Sequence, residues 1–134
     1  MTYGDGVSNI NIQNLIKFHK RHKKLATVSL VQPFGRWGKV KIKKDQVYDF
    51  NEKPKGDGSW VSGGFFVLQK EALSILKNKD DVWELEPINN LVKKKQLVGY
   101  KHTGFWKAMD TINDRNYLEK MWEDKPLWKI WKDH

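Results

Sequence analysis

The fold is most easily inferred from the stretch "LATVSLVQ" at residues 25–32. It is rich in β-branched residues and almost wholly apolar, which is typical of a strand buried on both faces of a sheet. Pro33 follows and ends the strand, because proline has no backbone N–H to give to a sheet ladder. The stretch therefore predicts an interior strand with other elements packed on either side of it.

A helix is predicted on the N-terminal side of this strand, over residues 8–23. Ile12, Leu15 and Ile16 recur at helical spacing, so they would form one apolar face. Three polar residues near its start have side chains that can cap a helix, namely Ser8, Asn9 and Asn11.

Strand and helix patterns also alternate on the C-terminal side. "KVKIKK" (39–44) predicts a strand with one face in solvent, and a turn at Lys44 and Asp45 leads into a second strand at 46–53, so the two form a hairpin. Further strands are predicted at 60–69 and within 96–110, and helices at 70–78, 81–95 and 111–124. Strands that alternate with helices indicate an α/β or α+β class.

Two helix boundaries stay open in the sequence. Pro87 either breaks or kinks the helix at 81–95 or marks the residue where that helix begins. The cap of the helix at 111–124 is either Asp110 or Thr111.

The composition is that of a globular chain. With 134 residues it is long enough for one domain with one core. No apolar run approaches the roughly 18 residues that a membrane span needs, and the N-terminus shows no signal-peptide pattern. Cysteine is absent, which excludes disulfides and cysteine metal sites. A cytoplasmic enzyme or binding module without a membrane partner is therefore expected.

The formal net charge of +9 suits a phosphate-rich partner, either a nucleic acid or a nucleotide. The cations fall in three short clusters, at 19–24, 39–44 and 93–95. Such clusters often only keep a surface solvated, and that explanation weighs more here. The aromatic residues stand among apolar neighbours, as in "GGFFV" and "GFW", which favours a core over a base-stacking surface. We therefore expect no nucleic-acid partner.

Two carboxylates stand at the ends of extended segments. Residues 1–3 are predicted to end a strand, and residues 4–6 to form a tight turn that places Asp5 at the strand's end. Asp110 follows an extended segment and precedes a helix. Such a pair could hold one Mg²⁺, because Mg²⁺ is often bound by one or two carboxylates plus substrate phosphates. The alternatives are a turn residue for Asp5 and a helix cap for Asp110.

A second group of residues could contact a sugar phosphate. Lys53, in "NEKP", could place a point charge on a phosphate, with Glu52 beside it. Gly63 and Gly64, in "SGGFFV", have no Cβ and would let the backbone approach a ligand closely. The alternatives are a surface ion pair for Glu52 and Lys53 and a β-bulge for the two glycines.

Taken together and in this order, these stretches resemble the sugar-phosphate nucleotidyltransferases, and within them the glucose-1-phosphate cytidylyltransferases. The similarity runs along essentially the whole chain and includes "TYGDGVSNINI", "FHKRHKKLATVSLVQPFGRWG", "EKPKGDGSWVSGGFFVL", "VWELEP", "GFWKAMDT" and "PLWKIW". "EKP" is shared by many sugar nucleotidyltransferases, whereas "YGDGV", "GGFFV" and "FWKAMDT" are more specific to the cytidylyltransferase branch. The resemblance implies an α/β, Rossmann-like nucleotidyltransferase fold with a mixed sheet, flanking helices and a β-hairpin.

The resemblance also implies a reaction and its partners. A phosphate oxygen of glucose 1-phosphate would attack the α-phosphorus of CTP in line, giving CDP-glucose and diphosphate. Mg²⁺ would be the cofactor, bound by Asp5 and Asp110. Nucleotide-sugar biosynthesis for the O-antigen of lipopolysaccharide would be the setting, and the complete enzyme would be a homo-oligomer.

The resemblance further implies which residues surround the sugar phosphate. Lys53 would bind the phosphate, and the backbone glycines would border the sugar. The residues implied are Gly38, Glu52, Lys53, Gly63 and Gly64. Ser62 departs from the pattern, because an asparagine facing a sugar hydroxyl is expected there. The shorter serine would lose that contact or make it through water.

A Gly-rich phosphate loop, roughly G-x-G-T-R-L in the family, does not occur in the 134 residues. We therefore expect residues 1–134 to be a single partial domain, the sugar-phosphate-binding half, without the N-terminal nucleotide-binding half and inactive alone. The alternatives are another sugar-1-phosphate nucleotidyltransferase, a non-catalytic subunit and, more remotely, a basic nucleic-acid-binding module.

Overall fold

A computed structural model describes residues 1–33, 39–51 and 59–131 of the chain. Within these ranges, strands and helices alternate. In chain order they are β1 (Gly6–Ser8), α1 (Ile12–His22), β2 (Ala26–Val31), β3 (Lys39–Lys43), β4 (Gln46–Asn51), β5 (Val61–Leu68), a 3₁₀-helix (Lys70–Ile75), α2 (Glu86–Lys93), β6 (Leu97–Lys101), β7 (Trp106–Ala108) and α3 (Ile112–Asp124). Among the described helices, none combines the length and the hydropathy that a bilayer crossing requires.

The interior strand predicted from "LATVSLVQ" is confirmed as β2. It is the middle strand of a three-stranded mixed sheet, antiparallel to β5 and parallel to β6. Five of its six residues are buried. A strand covered on both faces needs apolar or small residues on each, and this requirement explains the unbroken apolar run.

Residues 1–3 lie along the outer edge of β5. Thr2 forms an antiparallel bridge with Phe65, and the Tyr3 N–H donates to the carbonyl of Gly64 over 3.0 Å. The turn that follows is shorter than predicted. Only residues 4–5 bend, because Gly6 is already paired with Ala108 in the ladder between β1 and β7.

α1 is capped by Asn11, one of the three predicted candidates. Its side-chain oxygen accepts a hydrogen bond from the Asn14 N–H over 2.9 Å. Leu15 and His19 face the protein interior and are only 1% and 3% exposed. The helix ends at His22, and the next residue, Lys23, adopts a left-handed conformation with φ of 55°.

One hydroxyl group joins α1 to β2. The Oγ1 atom of Thr27 lies 2.8 Å from Nδ1 of His19 and 2.7 Å from Nε2 of His22. The other ring nitrogen of His22 accepts from the Lys24 N–H over 3.0 Å. Thr27 is fully buried, so this polar contact is part of the core.

The predicted helix over 70–78 is present as a 3₁₀-helix, and it is shorter than predicted because it ends at Ile75. The carboxylate of Asp81 accepts from the N–H groups of Lys77 and Asn78, at 2.6 Å and 3.1 Å. A side chain that accepts hydrogen bonds from backbone N–H groups in a turn competes with the continuation of a helix. This contact explains why the segment turns there.

α2 is shorter than the predicted helix over 81–95, because it begins at Glu86. Pro87 lies in its first turn, where the missing N–H costs no hydrogen bond. Of the alternatives for this proline, the start of the helix is therefore correct. Pro87 and Leu91 are buried and hold α2 against the rest of the chain.

The predicted hairpin is present as β3 and β4, joined at Lys44 and Asp45, and Lys44 has the positive φ of 53° that a tight hairpin turn requires. The prediction that one face is in solvent was incomplete, because the described residues cover neither face. Five apolar side chains of the hairpin are between 44% and 64% exposed, those of Val40, Ile42, Val47, Tyr48 and Phe50.

α3 packs beside the C-terminal segment. Leu118 is its buried residue. Trp128 stacks between Phe105 and Trp122, with ring centroids 5.6 Å and 6.1 Å apart. This stacking gives Trp128, the first tryptophan of "PLWKIW", a role in packing.

Candidate functional site

β1 and β7 form an antiparallel pair that carries two of the predicted site residues at one end. Gly6 pairs with Ala108, and the Met109 N–H donates to the carbonyl of Asp5 over 2.7 Å. Asp5 directly precedes β1, and Asp110 lies two residues after β7. The backbone thus brings these aspartates to the same end of the strand pair. That they bind one metal ion stays a prediction.

The cap of α3 is Thr111 rather than Asp110. The Thr111 hydroxyl accepts from the Asp114 N–H over 3.2 Å, and the Asp114 carboxylate accepts from the Thr111 N–H over 3.1 Å. This reciprocal capping box satisfies the helix start without Asp110. A helix cap therefore does not explain an aspartate at position 110.

Glu84 joins this region through Tyr3. Burial raises the pKa of the Tyr3 phenol well above its usual value, and a hydrogen bond to Glu84 and the charges of Glu84 and Asp5 raise it further. The phenol is therefore neutral at physiological pH and donates to Glu84. The sequence offered "VWELEP" as a motif but no role for this glutamate, because only the fold brings it to Tyr3.

Lys107 on β7 is a second residue without a predicted role. Its ammonium group pairs with the Asp114 carboxylate. The hydrogen bond from Lys107, followed by that from Thr111, lowers the pKa of Asp114 to about 2. The pair ties β7 to the first turn of α3. It thereby fixes the backbone on both sides of Asp110.

Gly63 and Gly64 are buried in β5, and protein atoms fill the space where a side chain would be. A Cβ at Gly63 would lie 2.6 Å from the Ser29 hydroxyl oxygen, and one at Gly64 would lie 2.9 Å from the Tyr3 ring. The pairing between β2 and β5 shifts register beside them, which agrees with the β-bulge alternative. That the two glycines form part of the wall of a sugar pocket stays a prediction.

The carbonyl of Gly63 connects β5 to the aspartate pair, since it accepts from the indole N–H of Trp106 over 2.9 Å. The neighbouring Ser62 is exposed, and its hydroxyl accepts from the Gly64 N–H over 3.3 Å. The other predicted sugar-phosphate residues lie outside the described residues, namely Gly38, Glu52 and Lys53.

The donor atoms at this end of the strand pair are of the kind that Mg²⁺ prefers. Asp5 and Asp110 are exposed carboxylates, and Mg²⁺ takes oxygen ligands. Within the described ranges, no three His, Asp or Glu residues are grouped so that they could hold a metal by themselves. A metal site in which two carboxylates and substrate phosphates are the ligands is compatible with both observations. The residues present therefore fit Mg²⁺.

The sequence matches known proteins along nearly its whole length. Residues 2–132 match the family model described as nucleotidyl transferase. The chain is 46% identical over 132 residues to the glucose-1-phosphate cytidylyltransferase of Salmonella typhimurium, and 37% identical over 133 residues to the probable glucose-1-phosphate cytidylyltransferase of Bacillus subtilis. Both matches cover 98% of this chain but only 51% and 52% of the relatives. The chain thus spans about half the length of these curated relatives.

The fold also has a counterpart among solved structures. A Bacillus anthracis protein assigned as a glucose-1-phosphate thymidylyltransferase, crystallised with sucrose, matches with a TM-score of 0.60 at 20% identity. The match covers 90% of this chain and 52% of that chain. The expected nucleotidyltransferase fold, α/β with a mixed sheet and flanking helices, is thereby confirmed.

Proposed function

The chain belongs to the nucleotidyl transferase family, and from that premise we propose that it acts in the transfer of a cytidylyl group from CTP to α-D-glucose 1-phosphate. The products are CDP-glucose and diphosphate. One observation carries the proposal: 46% identity along 98% of the chain to a relative named glucose-1-phosphate cytidylyltransferase.

The proposed chemistry needs positioning more than covalent catalysis. A phosphate oxygen of glucose 1-phosphate forms a bond to the α-phosphorus of CTP while the bond to the β-phosphate breaks, and diphosphate leaves with the electron pair. Asp5 and Asp110 would hold Mg²⁺, which neutralises phosphate charge when bound. The β1–β7 pair fixes the backbone of both aspartates. Fixed alignment of the reactants is what such a reaction requires.

The sugar phosphate would be bound on the β5 side of the site. Lys53 would hold the phosphate, with Glu52 and Gly38 close to the sugar. Gly63 and Gly64 would contribute backbone to the wall of this pocket. The support for this placement is the indole hydrogen bond from β7 to the Gly63 carbonyl, which joins β5 to the strand pair that carries the aspartates.

Glucose 1-phosphate is the better supported of the two substrates. The names of the relatives differ in the nucleotide but share the sugar phosphate. The chain is also 27% identical to a glucose-1-phosphate adenylyltransferase of Clostridium acetobutylicum. That match covers 96% of this chain and 40% of the relative. A glucose-1-phosphate nucleotidyltransferase with another nucleotide is therefore the second candidate. The identity of 46% against 27% favours CTP.

We further propose that these 134 residues do not supply the CTP phosphate site. Two observations support this: the chain spans half of its relatives, and it contains no Gly-rich phosphate loop. The chain alone is then expected to give no turnover. A complementing half would restore it.

The test is product formation by this chain co-expressed with the N-terminal half of the Salmonella typhimurium relative. The complex is given CTP with glucose, galactose or mannose 1-phosphate, and the nucleotide sugars are separated by anion-exchange chromatography. We expect CDP-glucose to form fastest. Ser62→Asn serves as a specificity control, since it restores the asparagine expected at that position and should leave the preference for glucose intact.

Two results would count against the proposal. Faster turnover of another sugar phosphate would remove glucose 1-phosphate as the substrate. A folded complex that turns over none of them would indicate a non-catalytic subunit.

A further inference from the structure

An open groove of about 530 Å³ lies between α1 and β6, outside the residues to which the proposed reaction assigns a role. Four residues of α1 and one of β6 line it: Asn14, Lys17, Lys20, Arg21 and Tyr100. Phe18 packs edge-to-face against Tyr100, with ring centroids 5.2 Å apart, and so holds the aromatic wall in place. The groove thus combines one helix face with a ring fixed by packing.

Three cations converge on this groove without a counter-charge. α1 contains no Asp or Glu. Within the described ranges, neither Lys17, Lys20 nor Arg21 pairs with a carboxylate. Lys17 and Arg21 are four residues apart, so their like charges face each other and destabilise the helix. An anion bound in the groove would relieve this repulsion.

Helix polarity explains only part of this cluster. Cations in the last turn of a helix are favoured by its dipole, and this accounts for Lys20 and Arg21. Lys17 lies in the middle of α1, where the helix dipole contributes little stabilisation to a positive charge. Exposed lysines with a carboxylate partner do occur in the described chain, since Lys41 pairs with Asp49 and Lys77 with Glu86. The three cations of the groove differ from these paired positions, and they line one cavity together.

We propose that this groove binds a small ligand carrying two or more linked phosphate groups. The arginine provides a planar fork of donors and the two lysines provide point charges, which together suit several phosphate oxygens at once. The volume lies in the range of small-ligand pockets. A nucleic-acid strand would instead need a longer charged track with exposed stacking rings, and Tyr100 is half-buried beside Phe18.

Thermophoresis of the labelled 134-residue chain at nanomolar concentration tests the proposal, with inorganic triphosphate as the probe and no Mg²⁺ present. We expect saturable binding that weakens from about 20 to 150 mM salt, because exposed charges are screened. Lys17→Gln with Arg21→Gln should weaken binding about fivefold to tenfold, since two exposed ion pairs are lost. Lys93→Gln with Lys94→Gln, at the C-terminal end of α2, is the matched control and should leave binding unchanged.

Further arms separate this site from the proposed reaction and identify the ligand. Asp5→Asn with Asp110→Asn should leave triphosphate binding intact, so the groove can be confirmed even if the reaction is wrong. CTP and ATP should bind with the same affinity as triphosphate if the groove recognises the phosphates alone. They should bind more tightly than triphosphate if Tyr100 also contacts the base. Equal loss of binding in the α1 and α2 variants would overturn the proposal. So would tighter binding of single-stranded oligonucleotides with affinity that grows with length.

Discussion

Thr27 shows how one buried hydroxyl group sets the protonation of two histidines. His22 accepts the Lys24 N–H at Nδ1, so its proton is on Nε2 and is donated to Thr27. The threonine then gives its own hydrogen to Nδ1 of His19. The proton of His19 is left on Nε2, a buried atom with no partner among the described residues. Both rings are neutral in this arrangement.

The same arrangement predicts that acid weakens the fold. Burial lowers the pKa of both His19 and His22 below 6.5. The charge of His22 lowers the pKa of His19 further, and the charge of Lys24 acts in the same direction on the pKa of His22. The unfolded chain therefore binds more protons below about pH 6.5, and stability falls as the pH drops from there toward the lowered values. Asp81 and Asp114 have lowered pKa values and titrate only at lower pH.

The measurement is the urea midpoint at about pH 7.5 and pH 5.5. We expect a lower midpoint at pH 5.5, and a smaller difference in the double variant His19→Gln with His22→Gln. An equal or higher midpoint in acid would show that the rings are not held neutral.

At the scale of elements, β5 depends on Gly64 for its path past residues 1–3. Gly64 has a φ of +77°, a value that other residues rarely adopt, and the Tyr3 ring covers the place of a Cβ. Gly64→Ala should lower the free energy of unfolding by about 2–3 kcal/mol, from backbone strain and displacement of the ring. Gly4→Ala is the control, because nothing lies within 4 Å of a Cβ there.

Chemical denaturation of both variants checks this prediction. A loss confined to Gly64→Ala would agree with the structure. Equal stability of the two variants would mean that the bulge in β5 does not require glycine at this position.

The apolar run correctly predicted β2 as an interior strand. For Pro87 the sequence left open whether the proline breaks, kinks or begins a helix, and the structure shows that α2 begins there. The sequence also did not predict that the 3₁₀-helix stops at Ile75, because apolar spacing does not report that the Asp81 carboxylate accepts the Lys77 and Asn78 amides. Nor does alternation within a strand report that the described residues cover neither face of the hairpin.

For the candidate site, the sequence proposed the two aspartates but did not predict the residues around them. The resemblance singled out Asp5 and Asp110, and the antiparallel pairing of β1 with β7 brings them together across more than a hundred residues. Glu84 and Lys107 lie within "VWELEP" and "GFWKAMDT", but neither had a predicted role, since their contacts depend on Tyr3 and on the start of α3. Tertiary contacts therefore supply the part of the site that motifs omit.

At the scale of the whole molecule, the account rests on Asp5 and Asp110 acting together on one Mg²⁺. The most direct measurement is Mg²⁺-dependent release of diphosphate from CTP and glucose 1-phosphate by the chain combined with the complementing half. Asp5→Asn and Asp110→Asn should each reduce the rate by about a hundredfold or more, because each removes a metal ligand. Asp45→Asn, in the hairpin turn, should leave the rate unchanged. Full activity in either site variant would contradict the account.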